Sequence, residues 1–419
     1  MSGSKTLEDW TALAAGLDFP RQAFIGGDFL DAASGATFET VNPATGQILT
    51  AVARTDEADV ERAVAVARAA FDDGRWSRRA PAERKAVLQR FANLIDRDRD
   101  HLAALETVDM GKPIGDSTTI DIPGAARCLR WYAEAIDKVY DEVAPTPHDQ
   151  LGLVTREPVG VVACIVPWNF PLLMAAWKIG PALATGNSVI LKPSEKSPLT
   201  ALHVARLAAE AGIPDGVFNV LPGYGETGAA LAMHGDVDCV AFTGSTAVGK
   251  KVLQAAGLSN MKRTWLECGG KSPNVVFADC PDIDAAVQAA GYGIFFNQGE
   301  MCSAASRLII DERIKEEFIE KLVAFGRTMA PGNPLDPDTR MGAIVDDIQF
   351  DTVMRYIETG RQEGARLRLG GEQVLQDTGG WFVEPTIFDG VDNAMKIAQE
   401  EIFGPVLATI GFASADEAL

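Results

Sequence analysis

Between Asp56 and about Thr107, apolar residues recur at three- and four-residue steps: Val60, Ala63, Val64, Val66 and Ala67 in one run, Val87, Phe91, Leu94 and Ile95 in the next. That period predicts two or three amphipathic helices. Asp72-Asp73-Gly74 interrupts them, and Pro81 suits the first position of a helix, where a missing N–H costs nothing. From Val159 the period changes. Val159–Val166, Ser188–Leu191, Val217–Leu221, Cys239–Phe242 and Thr264–Glu267 read as short strands. Helical stretches alternate with them, from about Pro171, from Ser197-Pro198 (as N-cap and first position) to about Ala211, and over 226–233 and 246–256. Strands apolar on both faces with helical crossovers predict an α/β fold with a parallel, doubly wound sheet. A second α/β run starts at Ser272: strand Asn274–Phe277, helix Ile283–Phe295, strand Arg307–Ile310, helix Ile314–Met329. Gly269-Gly270 marks a boundary near residue 270, and the polar stretch Val139–Arg156, with Pro145 and Pro147, reads as a β-hairpin leaving the body of the protein.

Composition narrows the picture. At about 150 residues per domain, 419 residues suggest two or three domains, and 47% apolar with 23% charged residues excludes disorder of the chain as a whole. A formal charge of −20, with no Lys/Arg-rich run, argues against nucleic acid as the main partner. Lys5, Glu8, Asp9 and Asp18 break up the N-terminal apolar positions, so no signal peptide is expected and the chain reads as cytoplasmic. Residues 158–177 are uncharged, but Pro158, Pro167, Pro171 and Asn169 would leave polar groups unsatisfied in lipid, which argues against a membrane span. The cysteines (128, 164, 239, 268, 280, 302) form no CxxC pair and the histidines (101, 148, 203, 234) show no ligand spacing, so no metal site is inferred.

The chemistry-bearing candidates lie on loops after the predicted strands, where a doubly wound sheet binds its ligands. In Val166-Pro167-Trp168-Asn169-Phe170-Pro171, two prolines fix the backbone beside an amide. Asn169 there can donate to a developing oxyanion, or cap the helix that follows. Lys192-Pro193-Ser194-Glu195 holds an acid where such folds grip an adenosine ribose. Glu195 would repel a 2′-phosphate; the same residues also suit a plain helix start. Gly244-Ser245-Thr246-Ala247-Val248-Gly249-Lys250 stands between strand and helix, where backbone N–H groups and the helix dipole favour a pyrophosphate. Its glycine spacing also matches a P-loop, but Lys251 replaces the metal-binding hydroxyl, and an ordinary glycine-punctuated helix start fits too. Cys302, in the polar turn Asn297-Gln298-Gly299-Glu300-Met301-Cys302-Ser303, is expected to be more exposed and reactive than a strand cysteine such as Cys164. Glu267 ends its strand as a general base or as a solvated acid.

Together and in this order, the motifs around Asn169, Lys192, Glu195, Gly244, Glu267 and Cys302, with Glu401-Ile402-Phe403-Gly404-Pro405-Val406 near the end, resemble the aldehyde dehydrogenase superfamily from about Phe24 to Phe412. The segments Asp121–Ala126 and Trp131–Lys138 further resemble bacterial γ-glutamyl-γ-aminobutyraldehyde dehydrogenases of putrescine degradation. The resemblance implies a Rossmann-type NAD-binding domain (1–138 and 157–270), an oligomerisation arm (139–156) and an α/β catalytic domain (271–419). It implies NAD as cofactor, a small-molecule aldehyde as substrate, and a homodimer or homotetramer at full length. By the same resemblance Cys302 would attack the aldehyde carbon, giving a thiohemiacetal and then a thioester. Asn169 and the Cys302 N–H would hold the oxyanion, Glu267 would activate water, and Lys178 would relay protons. Val166, Trp168, Lys192, Glu195, Gly244, Ser245, Gly249, Glu401 and Phe403 would form the cofactor site. Met174, Trp177, Phe296, Met301 and Ser303 would border the substrate tunnel. Asp121 would stand at its mouth and favour an amine- or amide-bearing substrate. Family members continue past the position of Leu419, so an incomplete catalytic domain is also expected.

Other readings stay in play: a broad-specificity or betaine-aldehyde-type dehydrogenase, a CoA-acylating relative, an inactive fragment, a structural protein and a P-loop phosphotransferase. Glu267 argues against CoA acylation, which needs no water-activating base, and Lys251 argues against the phosphotransferase.

Overall fold

The computed structural model describes residues 5–419; the first four residues of the 1–138 segment lie outside the described residues. Three helices, Glu57–Asp72, Pro81–Arg97 and Arg99–Met110, follow an N-terminal β region. The first is started by Asp56, whose side chain accepts from the Ala58 N–H, and the second has Pro81 at its first position. Their periodic residues Val60, Ala63, Val64, Ala67, Val87, Phe91 and Ile95 are buried, as the spacing predicts.

The first sheet has seven strands, ordered Arg263–Glu267, Cys239–Thr243, Val161–Ile165, Ser188–Lys192, Phe218–Val220, Ala23–Ile25 and Asp28–Leu30. The first five are mutually parallel, and the last two add antiparallel at the edge. That short N-terminal pair is not signalled by the hydrophobic pattern. Val161–Ile165 and Ser188–Lys192 are buried at every position. Val162, Cys164, Val189 and Leu191 pack into one helical layer with Phe91, Leu129 and Leu202, while Val161, Ala163, Ile165 and Ile190 pack into the other with Val60, Val64 and Val252. Each large aliphatic side chain buried this way contributes about 2 kcal/mol relative to exposure. At the other edge, Arg263–Glu267 is half-covered and leaves Trp265 exposed.

The second sheet is ordered Pro273–Val276, Arg307–Asp311, Val406–Phe412, Thr386–Asp389 and Arg366–Leu369, with only the last strand antiparallel. Between residues 139 and 156, Glu142–Ala144 pairs antiparallel with Gly152–Val154, and Val143, Leu151 and Leu153 are exposed along the hairpin. Among the described residues no helix is long and apolar enough to cross a membrane. The uncharged stretch 158–177 is instead a strand, a turn and the first half of helix Pro171–Ala184.

One helix start needs correction. The helix after Ser188–Lys192 runs Leu199–Ala211, with Pro198 before it, and its Leu199 N–H donates to Asp109 Oδ2 at 2.9 Å. Ser197 is free of the capping role because a distant carboxylate performs it, and its hydroxyl donates to the Trp168 carbonyl.

Candidate active site

From Val161–Ile165 the chain adds Ser188–Lys192 and Phe218–Val220 on one side, then returns to lay Cys239–Thr243 on the other. Crossovers that diverge in this way leave a crevice at the carboxyl ends of the two strands between them. A cavity of about 560 Å³ opens there, lined by Val166, Lys192, Glu195, Gly225 and Gly228 among others. A second, of about 220 Å³, is lined by Asn169, Met174, Cys268, Cys302, Glu401 and Phe403 among others. Pro167, Trp168, Thr243, Gly244 and Ser245 line both, so the two are ends of one cleft.

At the larger end the Lys192 ammonium lies 3.4 Å from Glu195 Oε2. Burial lowers the Lys192 pKa, and Glu195 counters that effect. Ser245 caps helix Thr246–Leu258 by accepting from the Val248 N–H, placing the helix N-terminus at the cavity wall. Across from it, a Cβ on Gly225 would meet nothing within 4 Å. An open wall, a helix N-terminus and a carboxylate suited to ribose hydroxyls fit an adenine dinucleotide. Gly249 does not line the cavity. It is buried on the helix, where a Cβ would come 2.8 Å from Cys268 Sγ, so its lack of a side chain serves packing.

At the smaller end the backbone is irregular. Asn297 and Gln298 adopt φ of 49° and 56°, and Gly299 follows at 72°. The two non-glycine residues each cost about 1–3 kcal/mol, and polar contacts hold them there. The Asn297 amide donates to the Asn169 and Glu300 carbonyls, both at 3.1 Å. Gln298 Oε1 accepts from the Gly342 N–H, and the fully buried Glu300 accepts from the Val345 N–H, each at 3.1 Å. Burial pushes the Glu300 pKa well up. At Gly299 a Cβ would fall 2.1 Å from the Gly404 carbonyl oxygen, so only glycine fits. The loop thus pinned carries an exposed Cys302 into the cleft. Asn169 is buried and donates one Nδ2 hydrogen to the Glu300 carbonyl at 2.9 Å, which leaves the second hydrogen of that amide for another acceptor.

Phe403, at φ 58°, is held by Gln349, which donates to the Ile402 and Phe403 carbonyls at 3.1 and 2.8 Å. Its ring meets Trp168 edge-on at 5.1 Å. Glu401 accepts from the Gly270 N–H, and burial raises its pKa. Lys178 donates to Thr243 Oγ1 at 2.6 Å. Burial lowers its pKa, and the Glu267 carboxylate opposes the shift. Glu267 itself is exposed; it lines neither cavity, whereas its neighbours Cys268 and Gly269 line the smaller one.

Of the expected tunnel residues, Met174 lines the smaller cavity and Met301 a narrow crevice beside Glu401 and Phe403. Phe296 stacks on Phe170 at 6.2 Å, and Trp177 and Ser303 are exposed. Asp121 is a correction. Its side chain is fully buried, 3.0 Å from the equally buried Lys112 ammonium, so it presents no carboxylate at a tunnel mouth. Its counter-charge lies inside the protein. Sequence reading also misses Glu106 and Asp109. These buried acids on helix Arg99–Met110 accept from Leu172 N–H (3.3 Å) and Leu199 N–H (2.9 Å), holding the starts of the helices that follow two cofactor-side strands. Their three-residue spacing among Ala and Leu is the one signal that could have marked them.

Comparison with known proteins agrees with this geometry. The sequence model of the aldehyde dehydrogenase family matches residues 29–419. PuuC of Escherichia coli, an NADP/NAD-dependent aldehyde dehydrogenase, is 52% identical over 411 residues, spanning 98% of this chain and 82% of that protein. A crystal structure of γ-glutamyl-γ-aminobutyraldehyde dehydrogenase from Burkholderia cenocepacia is 61% identical with a TM-score of 0.97, covering 99% of this chain and 84% of that one. An indole-3-acetaldehyde dehydrogenase crystallised with NAD+ is also 61% identical, with a TM-score of 0.98 and the same coverage. The chain belongs to the aldehyde dehydrogenase family, whose members are NAD- or NADP-dependent oxidoreductases. The expected family and α/β class are therefore borne out.

Proposed function

We propose that this chain oxidises an aminoaldehyde of the γ-glutamyl-γ-aminobutyraldehyde class to its carboxylic acid, with NAD as hydride acceptor and Cys302 as nucleophile. The observation that carries the reading is an exposed Cys302 at one end of a cleft whose other end holds Glu195 and the Ser245 helix start. Cys302, adding as the thiolate, bonds to the aldehyde carbon, and the oxygen that becomes negative is met by the free Asn169 N–H. Lys192, Glu195, Ser245, Glu401 and Phe403 would hold NAD, which would accept the hydride lost from the carbon as the thiohemiacetal becomes a thioester. Glu267 then removes a proton from the water that cleaves the thioester, and Lys178, which senses the Glu267 charge, passes the proton on.

Residues 1–138 with 157–270 form the cofactor domain, and 271–419 carry the nucleophile together with Glu401 and Phe403. The exposed apolar hairpin 139–156 supports assembly into a homo-oligomer. The substrate class is supported by the likeness to the Burkholderia γ-glutamyl-γ-aminobutyraldehyde dehydrogenase and to an aminoacetaldehyde dehydrogenase of Pseudomonas aeruginosa. The test is NADH formation with a panel containing γ-glutamyl-γ-aminobutyraldehyde, indole-3-acetaldehyde and hexanal, with and without CoA. Acid and NADH without CoA, fastest with the γ-glutamyl compound, are expected. Acyl-CoA as product, or hexanal as the best substrate, refutes the corresponding half of the proposal.

A further inference from the structure

Phe170 directly follows Asn169, and besides the stacked Phe296 its ring has one polar neighbour, the Lys112 ammonium, 4.1 Å from the ring centroid. Lys112 is fully buried. Asp121 Oδ1 stands 3.0 Å from its nitrogen and Glu106 Oε1 3.6 Å, and both acids are fully buried as well. The other Glu106 oxygen accepts from the Leu172 N–H. One cluster thus holds the chain on both sides of Pro171, at residue 170 through a ring and at residue 172 through the backbone.

A buried ion pair is a poor source of stability, since apolar side chains of the same volume fill such a space at lower cost. What the ammonium adds is direction. It attracts an aromatic face over short range and only along the ring normal, so it fixes how Phe170 sits and with it the turn that aims the Asn169 amide. Three acids, Glu106, Asp116 and Asp121, feel this one cation, and burial pushes them up, Glu106 to about 7 and Asp116 to about 6, with Lys112 opposing each shift.

We infer that Lys112 is a positioning residue for the oxidation. It acts through Phe170, and its partner Glu106 acts through Leu172, to set the turn that presents Asn169 to the Cys302 end of the cleft. The inference rests on the function proposed above.

The test compares wild type, the charge-neutral pair Lys112→Met/Asp121→Asn, Phe170→Leu, and the three substitutions combined, reading the pre-steady-state NADH burst and NAD binding. The neutral pair leaves no unpaired charge from its own ion pair. Its burst should slow about tenfold, on the scale expected for a small misplacement of a catalytic group, with NAD affinity kept. Phe170→Leu should slow the burst similarly, and the combined variant should be no slower than the slower of its parents, because both changes break one contact. A structural role alone would lower the melting temperature and leave the burst rate of folded protein unchanged. That result, or losses that multiply in the combined variant, overturns the inference. If the neutral pair does not fold, Phe170→Leu carries the test, and an unchanged burst there overturns it. Absence of any NADH formation by the wild type with aldehyde and NAD sinks the proposed function instead, so the two failures are distinguishable.

Discussion

The two ends of the cleft are built by different means. At the cofactor end, Lys192 and Thr243 terminate strands whose register is fixed by a sheet buried on both faces: Ile165 pairs with Lys192 on one side and with Phe242 on the other. At the Cys302 end the wall is irregular backbone, with Asn297, Gln298 and Phe403 all at positive φ. Hydrogen bonds from far along the chain hold it: Asn169 reaches Glu300 across 131 residues, and Gln349 reaches Ile402 across 53. Strand ends and a helix start thus place the residues proposed to bind the adenosine half of the cofactor, whereas Glu401 and Phe403 belong to the irregular end. The residues proposed to react depend on tertiary contacts, and substitutions should separate the two.

The largest effect is expected at the irregular end. Cys302→Ala should lower NADH formation by more than about a thousandfold, while NAD binding, measured by fluorescence titration, stays near wild type. Retained turnover above a few per cent would remove Cys302 from its role, and lost NAD binding would show that the two ends are not separable. A smaller effect is expected at the regular end. Glu195→Gln should cost about tenfold in kcat/KM for NAD, the worth of one charge-assisted hydrogen bond, and narrow the preference over NADP, with the size of the NADH burst unchanged. Equal cofactor preference in wild type and variant would contradict the ribose assignment.

The same contrast explains what the sequence makes legible. The parallel sheet is written in uninterrupted apolar runs, and strand-end motifs such as 192–195 and 244–249 can be placed by counting from those runs. Cys302 and Asn169 stand out as candidates from their loops, but their paired roles are assigned because whole segments resemble a family. Three features escape. Asp121 is expected at a tunnel mouth because nothing local says that Lys112, nine residues before it, is its buried partner. Glu300 sits in a polar turn and reads as solvated, yet tertiary packing buries it against Val345. Gly249 reads as a phosphate glycine, but its place on the helix faces Cys268.

The central claim is an acyl intermediate on Cys302 released by water that Glu267 activates, and a rapid-mixing experiment on Glu267→Gln tests it most directly. With saturating NAD and aldehyde, the account predicts a burst of one NADH per site followed by turnover about a hundredfold below wild type, with thioester recovered on Cys302 after acid quench. Steady turnover at the wild-type rate, with no burst and no thioester, would contradict it.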